Sequence, residues 1–149
     1  MGVRFTNATE TLIWAARSKE SRGYTFNREY AKEFGFGKTG SNVWILPICT
    51  GSERLKNESG QKLHNTQKPI ELLKRIILTS TKEGDLILDP MAGTGTTAYV
   101  ARSLRHHFVI VEKEEKYIKG IIQRLSKLQY LTEHSNVGLE GFEPPTNGL

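Results

Sequence analysis

The chain has 149 residues, of which 37% are hydrophobic and 25% are charged, so we expect one domain or part of a larger one rather than a disordered chain. Its longest apolar run, residues 12–16, is too short to span a membrane, and a single cysteine excludes a disulfide framework and a cysteine-only zinc site. The net charge is +5, and it rises to +8 over residues 1–131 because the last 18 residues hold three Glu and no Lys or Arg; this balance suits a polyanion or an ordinary soluble enzyme.

The first half of the chain is predicted to contain one strand and a long loop-rich segment. Residues 12–16 form a short, continuous apolar run, which is typical of a strand buried on both faces. Residues 18–65 are rich in Gly, Ser, Asn and Lys, and aromatic residues are scattered through them. Only residues 27–34 indicate a helix there, and glycines break any regular element that follows.

The second half of the chain predicts a strand–helix–strand unit. Residues 86–89 and 108–112 are short apolar runs typical of buried strands, and residues 96–104 between them show helical spacing, with Ala98, Ala101 and Leu104 facing inward. Two strands joined by a helix predict a parallel pair with a right-handed crossover. The core should therefore be of the α/β class.

Two amphipathic helices are predicted on either side of this unit. Pro69 opens the first, because a proline at a helix start loses no hydrogen bond. The second begins near Tyr117 and runs to about residue 131, with apolar residues every three or four positions. Residues 132–149 have no such period and contain Pro-Pro, so we expect a disordered tail.

A glycine-rich turn, Asp-Pro-Met-Ala-Gly-Thr-Gly-Thr-Thr over residues 89–97, joins the first of these strands to its helix. Gly93 and Gly95 let the backbone turn sharply and approach a ligand, which the helix-start N–H groups and the threonines would face. Asp89 ends the first strand. Glu112 ends the second, 19 residues after Gly93, where a carboxylate can accept hydrogen bonds from both hydroxyls of a ribose. Together these features predict a nucleoside-type ligand.

Charge distinguishes between the candidate ligands. The lysine that cradles phosphates in a P-loop is absent, and Ala98 replaces the third glycine of a dinucleotide fingerprint, which that pattern tolerates. Asp89 would repel a pyrophosphate but attract an ammonium group. S-adenosylmethionine carries an ammonium and a sulfonium and no phosphate, so charge favours it over NAD.

At this point the sequence resembles a known family. The turn resembles the Asp-Pro-Phe-x-Gly-x-Gly-Thr-Thr cofactor motif of amino-methylating DNA methyltransferases. Residues 64–69, His-Asn-Thr-Gln-Lys-Pro, resemble the His-x-Thr-Gln-Lys-Pro motif of the same enzymes, and residues 4–14 resemble the strand before their target-recognition segment. The order of the motifs is similar to that of the β group, and the resemblance covers about residues 4–126.

The resemblance implies a domain organisation. Residues 1–131 would be a partial Rossmann-like, S-adenosylmethionine-dependent methyltransferase domain. Within it, residues 18–65 would be a loop-rich, candidate target-recognition segment, and residues 66–131 the cofactor-binding core with its parallel βαβ unit. The disordered tail, residues 132–149, matches nothing in the family.

The family's motifs also imply a role for individual residues. Asp89 would hold the cofactor ammonium, Glu112 the ribose hydroxyls, and Thr66 and Lys68 the cofactor carboxylate. The alternative for Lys68 is a solvated lysine at a helix start. His64 is expected to shape its loop rather than to catalyse. The complete set of expected cofactor-binding residues is Thr66, Lys68, Pro69, Asp89, Pro90, Met91, Gly93, Thr94, Gly95, Thr96, Thr97 and Glu112.

The family's catalytic loop, (Asp/Asn/Ser)-Pro-Pro-(Tyr/Phe/Trp), has no counterpart here. Its polar side chain orients the target amine and its ring stacks on the flipped base. The one Pro-Pro lies in the expected tail, follows no strand, and precedes Thr146 where the ring belongs. The chain therefore resembles the C-terminal half of such an enzyme, and we expect no catalytic residue, no metal site and no activity of the chain alone.

The implied function is the cofactor-binding part of a site-specific DNA methyltransferase that acts on an exocyclic base amine, with adenine N6 favoured over cytosine N4. Expected partners are double-stranded DNA and a complementary N-terminal methyltransferase chain, in the cytoplasm and without a membrane. Seven basic residues could contact phosphates or simply belong to a solvated loop: Arg22, Arg28, Lys32, Lys38, Arg54, Lys56 and Lys62. A methyltransferase for RNA or protein, and a non-catalytic cofactor-binding remnant, remain as alternatives.

Overall fold

The computed structural model describes residues 8–34 and 40–134 of the chain. Its regular elements are α1 (Arg28–Phe34), a 3-10 turn (Gly51–Glu53), α2 (Ile70–Ser80), β1 (Leu86–Asp89), α3 (Thr96–Ser103), β2 (His107–Ile110) and α4 (Glu115–His134). None of the helices in this part of the chain is long and apolar enough to cross a membrane.

The centre of the fold is a parallel pair of strands joined by a helix. β1 and β2 run in parallel, with Leu86 opposite His107 and Asp89 opposite Ile110, and α3 forms the connection. This confirms the predicted parallel βαβ unit and the α/β class. β2 begins one residue earlier and ends two residues earlier than the predicted strand, so Glu112 follows the strand instead of ending it.

The hydrophobic core lies where α2, α3 and one face of the sheet meet. Ile77 of α2 packs there with Val100, Ala101 and Leu104, and partly buried side chains from the strands and from α2 surround them. Ala98 and Ala101 are completely buried and Leu104 is 7% exposed, so the predicted inward face of this helix is confirmed. Two alanines on that face let α3 approach its neighbours closely.

The opposite face of the two-stranded sheet is exposed. Burial alternates along both strands, and Leu86, Leu88, Val109 and Val111, between 47% and 66% exposed, form an apolar face. β1 pairs with β2 along one edge only, since no other strand of the described residues joins this sheet. We call these four side chains the open sheet face.

The predicted strand at residues 12–16 is wrong. This segment has no regular structure, and Leu12, Ile13 and Trp14 are between 53% and 87% exposed. An apolar run becomes a strand only when another strand accepts its backbone hydrogen bonds. No strand within the described part of the chain does so, and Trp14 instead makes an edge-to-face contact with Phe26, with 5.9 Å between the ring centroids.

The helical predictions agree with the structure at most boundaries. α1 occupies the helix predicted for residues 27–34, and α2 begins directly after Pro69, its N-cap residue. α4 continues to His134, so the first three residues of the expected tail are helical and not disordered. The remainder of that tail, residues 135–149, lies outside the described residues.

Candidate functional site

Within the motif of residues 89–97, residues 90–95 connect the carboxyl end of β1 to the first residue of α3, and we call them the glycine turn. Gly93 and Gly95 have φ angles of 54° and 69°, in the left-handed region that favours glycine. The turn is tied to the segment after β2, because the backbone N–H of Ala92 donates to the carbonyl of Val111 at 3.0 Å. The turn therefore sits at the edge of the sheet where both strands end.

Glu112 fixes this turn through its carboxylate. Its two oxygens accept hydrogen bonds from the backbone N–H groups of Gly93 at 2.7 Å, Lys113 at 2.8 Å and Glu114 at 2.9 Å. These bonds, that of Glu114 foremost, and the nearby His64 hold the pKa of Glu112 below its usual range. A carboxylate has about four acceptor positions, so about one remains for a ligand.

Asp89 lies beside Glu112 at the same edge of the sheet. Its Oδ1 accepts a hydrogen bond from the backbone N–H of Met91 at 3.1 Å, and Oδ2 has no hydrogen-bond partner among the described residues. The backbone carbonyl of Asp89 also accepts from the N–H of Val111 at 2.9 Å. The structure therefore brings together the two acids and the glycine turn, and it leaves one oxygen of Asp89 available.

The loop of residues 64–69 packs against the glycine turn. His64 Nδ1 lies 3.1 Å from the backbone N–H of Thr66, and the His64 ring contacts the ring of Tyr117 at 4.7 Å between centroids. His64 Nε2 would lie 3.7 Å from a Cβ added to Gly93. His64 thus connects its loop to the glycine turn and to Tyr117 of α4.

Lys68 and Pro69 lie where this loop enters α2. The Lys68 carbonyl accepts a hydrogen bond from the Thr96 hydroxyl at 3.2 Å, which joins the loop to the start of α3. The Lys68 ammonium forms an ion pair with Glu10 at 2.6 Å, and both side chains are largely solvated. Ion pairs of this kind contribute little stability, so another carboxylate can replace that of Glu10 at low cost.

The remaining predicted residues of the site differ in exposure. Thr94 and Thr96 are only 3% and 5% exposed, whereas Thr97 is half-buried and Pro90 and Met91 are exposed. The Thr96 hydroxyl has partners inside the protein, so Thr96 can reach a ligand more easily through its backbone than through its side chain.

Arg124 is a residue of the site that sequence reasoning missed. Its side chain is buried against the ring of Tyr99, 4.6 Å from the ring centroid, and donates to the Thr96 hydroxyl at 3.2 Å and the Thr94 carbonyl at 3.4 Å. Burial lowers the pKa of Arg124. The available signal was its position, since Arg124 lies three residues after Ile121 and four before Leu128, within the buried stripe of α4.

Similarity to known proteins extends over most of the chain. A family model described as DNA methylase matches residues 2–124. The Type II methyltransferase M.HinfI of Haemophilus influenzae is 44% identical over 128 residues, which are 86% of this chain and 35% of that protein. M2.LlaDCHI of Lactococcus lactis subsp. cremoris is 44% identical over 123 residues, 83% of this chain and 44% of that protein. The chain thus spans less than half the length of these relatives.

A solved structure is also similar. The crystal structure of the M1.HpyAVI-SAM complex matches with a TM-score of 0.51 and 27% sequence identity, over 69% of this chain and 44% of that chain. The similarity supports the partial Rossmann-like α/β fold that the sequence predicted.

Proposed function

We propose that the glycine turn of this chain, which belongs to the DNA methylase family, binds S-adenosylmethionine. The observation that carries the proposal is the meeting of a left-handed glycine turn with Asp89 and Glu112 at the carboxyl end of two parallel strands. Open α/β sheets bind ligands at that edge. The similar M1.HpyAVI structure is a complex with this cofactor.

The chemistry of the site fits the cofactor. S-adenosylmethionine has a positively charged ammonium and sulfonium, and the two acids supply negative charge at the turn. The available Oδ2 of Asp89 would accept from the ammonium, and the remaining acceptor position of Glu112 would accept from a ribose hydroxyl. Thr66 and Lys68 would hold the cofactor carboxylate, which would replace Glu10 at the Lys68 ammonium. The bound cofactor supplies an electrophilic methyl group.

The wider function that we propose is site-specific DNA methylation at an exocyclic base amine. Adenine N6 is favoured because the motifs resemble those of adenine-N6 enzymes more than those of cytosine-N4 enzymes. The relatives are Type II methyltransferases, which supports a role in restriction and modification, and a cytoplasmic location goes with that role. Because the sequence holds no Pro-Pro-aromatic loop, we propose that these residues act together with a complementary N-terminal part of a methyltransferase.

Calorimetric titration with S-adenosylmethionine tests the cofactor site. We expect Asp89→Ala and Glu112→Ala each to lose about 1–3 kcal/mol of binding free energy, the usual contribution of a charged hydrogen bond. Glu20→Ala, which removes an exposed acid far from the turn in sequence, is the matched control and should bind as the unaltered chain does. Unchanged affinity in both site variants would overturn the proposal.

A methyl-transfer assay tests the wider function. The purified chain with labelled cofactor and duplex DNA should incorporate no label, because its sequence contains no Pro-Pro-aromatic loop to orient a flipped base and stack on it. Adding the N-terminal part of a related methyltransferase should restore incorporation, and Asp89→Ala should abolish it again. Label transferred by the chain alone, or to RNA or protein rather than DNA, would contradict this function.

A further inference from the structure

Residues 55–63 form a short β-hairpin, which we call the lysine hairpin. The N–H of Leu63 donates to the carbonyl of Leu55 at 2.9 Å, and the N–H of Asn57 donates to the carbonyl of Gln61 at 2.8 Å. Between these two bonds, one lysine of each strand forms an antiparallel bridge with the other. A pair flanked in this way is of the non-hydrogen-bonded type, whose side chains lie closest together.

One face of the lysine hairpin is anchored on α4. Leu63 and Leu55 approach Gly120, where an added Cβ would lie 2.6 Å from Leu63 Cδ2 and 4.0 Å from Leu55 Cδ1. Because side chains alternate along a strand, Lys56 and Lys62 project from the opposite face, and both are exposed. Gly120, within α4, thus leaves space for both leucines, and this contact fixes the position of the hairpin.

The exposed face of the lysine hairpin carries its two lysines, and its one acidic residue, Glu58, lies in the turn. Like charges directly opposite each other destabilise a strand pair, and neither lysine forms an ion pair with any residue that the structure describes. Lys56 and Lys62 line a shallow groove together with Arg54 and the amide side chains of Gln61 and Asn65. Three cations and two amides around one groove are suited to an anion that has many oxygens.

The position of the groove indicates which anion. The lysine hairpin ends next to His64, which contacts the glycine turn, and the Arg54 guanidinium donates to the His64 carbonyl at 3.1 Å. We propose that Lys56 and Lys62 each contact a phosphate of duplex DNA beside the cofactor site. This inference rests on the proposed function, and it selects the lysine hairpin from the seven basic residues that the sequence offered.

The test compares two double variants of the full chain that remove the same charge. Lys56→Gln with Lys62→Gln removes the pair, and Lys19→Gln with Lys127→Gln removes two exposed lysines elsewhere. Fluorescence anisotropy with a labelled duplex, from low to moderate salt, gives affinity and its salt dependence. The slope of log affinity against log salt should shrink by about 1.8 in the hairpin variant, since each phosphate contact contributes about 0.9. Low-salt affinity should fall about tenfold or more, with little change in the control.

Each result supports or contradicts this assignment, and calorimetric titration with S-adenosylmethionine distinguishes it from the proposed cofactor function. Equal losses in the two double variants, or a loss seen with duplex RNA and not with DNA, would overturn the contact. A chain that binds S-adenosylmethionine but no duplex DNA would overturn it as well, and would leave the cofactor site standing. A hairpin-specific loss in a chain that binds no cofactor would support the contact and overturn the proposed cofactor site.

Discussion

Gly93 and Gly95 share a backbone requirement but differ in their surroundings, so alanine should affect them unequally. A left-handed φ costs a non-glycine residue about 1–2 kcal/mol. At Gly93 an added Cβ would meet no atom closer than 3.7 Å, whereas at Gly95 it would lie 2.8 Å from Ile121 Cγ1. We expect Gly93→Ala to destabilise the fold by that strain alone and Gly95→Ala by about 2–5 kcal/mol in total.

Thermal and urea unfolding of the two alanine variants measure this difference. Gly93→Ala should lose S-adenosylmethionine affinity while it remains more stable than Gly95→Ala, because its methyl group would lie where the turn meets the ligand. A larger loss of stability at Gly93 than at Gly95 would contradict the packing of the turn against α4.

Glu112 should make the stability of the fold depend on acid pH. Its folded pKa is lowered by backbone hydrogen bonds, so its contribution is present above the ordinary pKa of Glu, about 4.3, and is lost as pH falls through the lowered folded value. Glu112→Gln removes the ionised acceptor, so its melting temperature should fall less steeply below about pH 4.3. Melting curves between neutral and acid pH, with Glu20→Gln as control, measure the effect; identical profiles would refute it.

At the scale of elements, Arg124 connects α4 to the glycine turn and α3. Replacing it by methionine retains much of the apolar volume but removes the guanidinium bonds to Thr94 and Thr96. We expect Arg124→Met to lose about 1.5–3 kcal/mol of stability and to weaken cofactor binding, because the turn loses its support. Lys127 is exposed one turn further along the same helix. Lys127→Met should therefore change neither the stability in unfolding titrations nor the cofactor affinity in calorimetric titrations. Equal effects of both variants would contradict this role.

The elements that were predictable are those whose signals are local. β1 was predicted at its observed bounds, and α3 to within one residue, because apolar period and flanking glycines define them. The run at residues 12–16 carried the same local signal, but a strand also needs a neighbour, and none is described beside it. The ion pair between Lys68 and Glu10 joins residues 58 positions apart, which no local pattern indicates.

The site shows the same division between local and distant information. The glycine turn and its two acids follow from spacing, since consecutive parallel strands end at one edge of a sheet. The support for the turn comes from Arg124, 30 residues beyond Thr94, and a charged residue on a helix is ordinarily read as solvated. Threonines near a ligand motif look like ligands in sequence, whereas the buried Thr96 hydroxyl binds the protein itself.

At the scale of the whole molecule, the open sheet face governs how the chain should behave in isolation. Leu86 and Leu88 of β1 lie beside Val109 and Val111, and no other strand of the described residues pairs with the second edge of β1. An apolar face and a free edge on the same strand favour association with another chain. The rest of a methyltransferase domain would cover both.

We therefore expect the purified 149-residue chain to self-associate through this face until a complementary N-terminal part is added. Leu88→Lys should reduce self-association in sedimentation experiments without unfolding the chain, because this side chain already lies in solvent. Ile87→Lys is the contrasting variant, since Ile87 packs against the core and its replacement should unfold the chain. A monomeric sample with a sharp two-state melt would refute the prediction, because it would require the chain's own residues to cover the open sheet face.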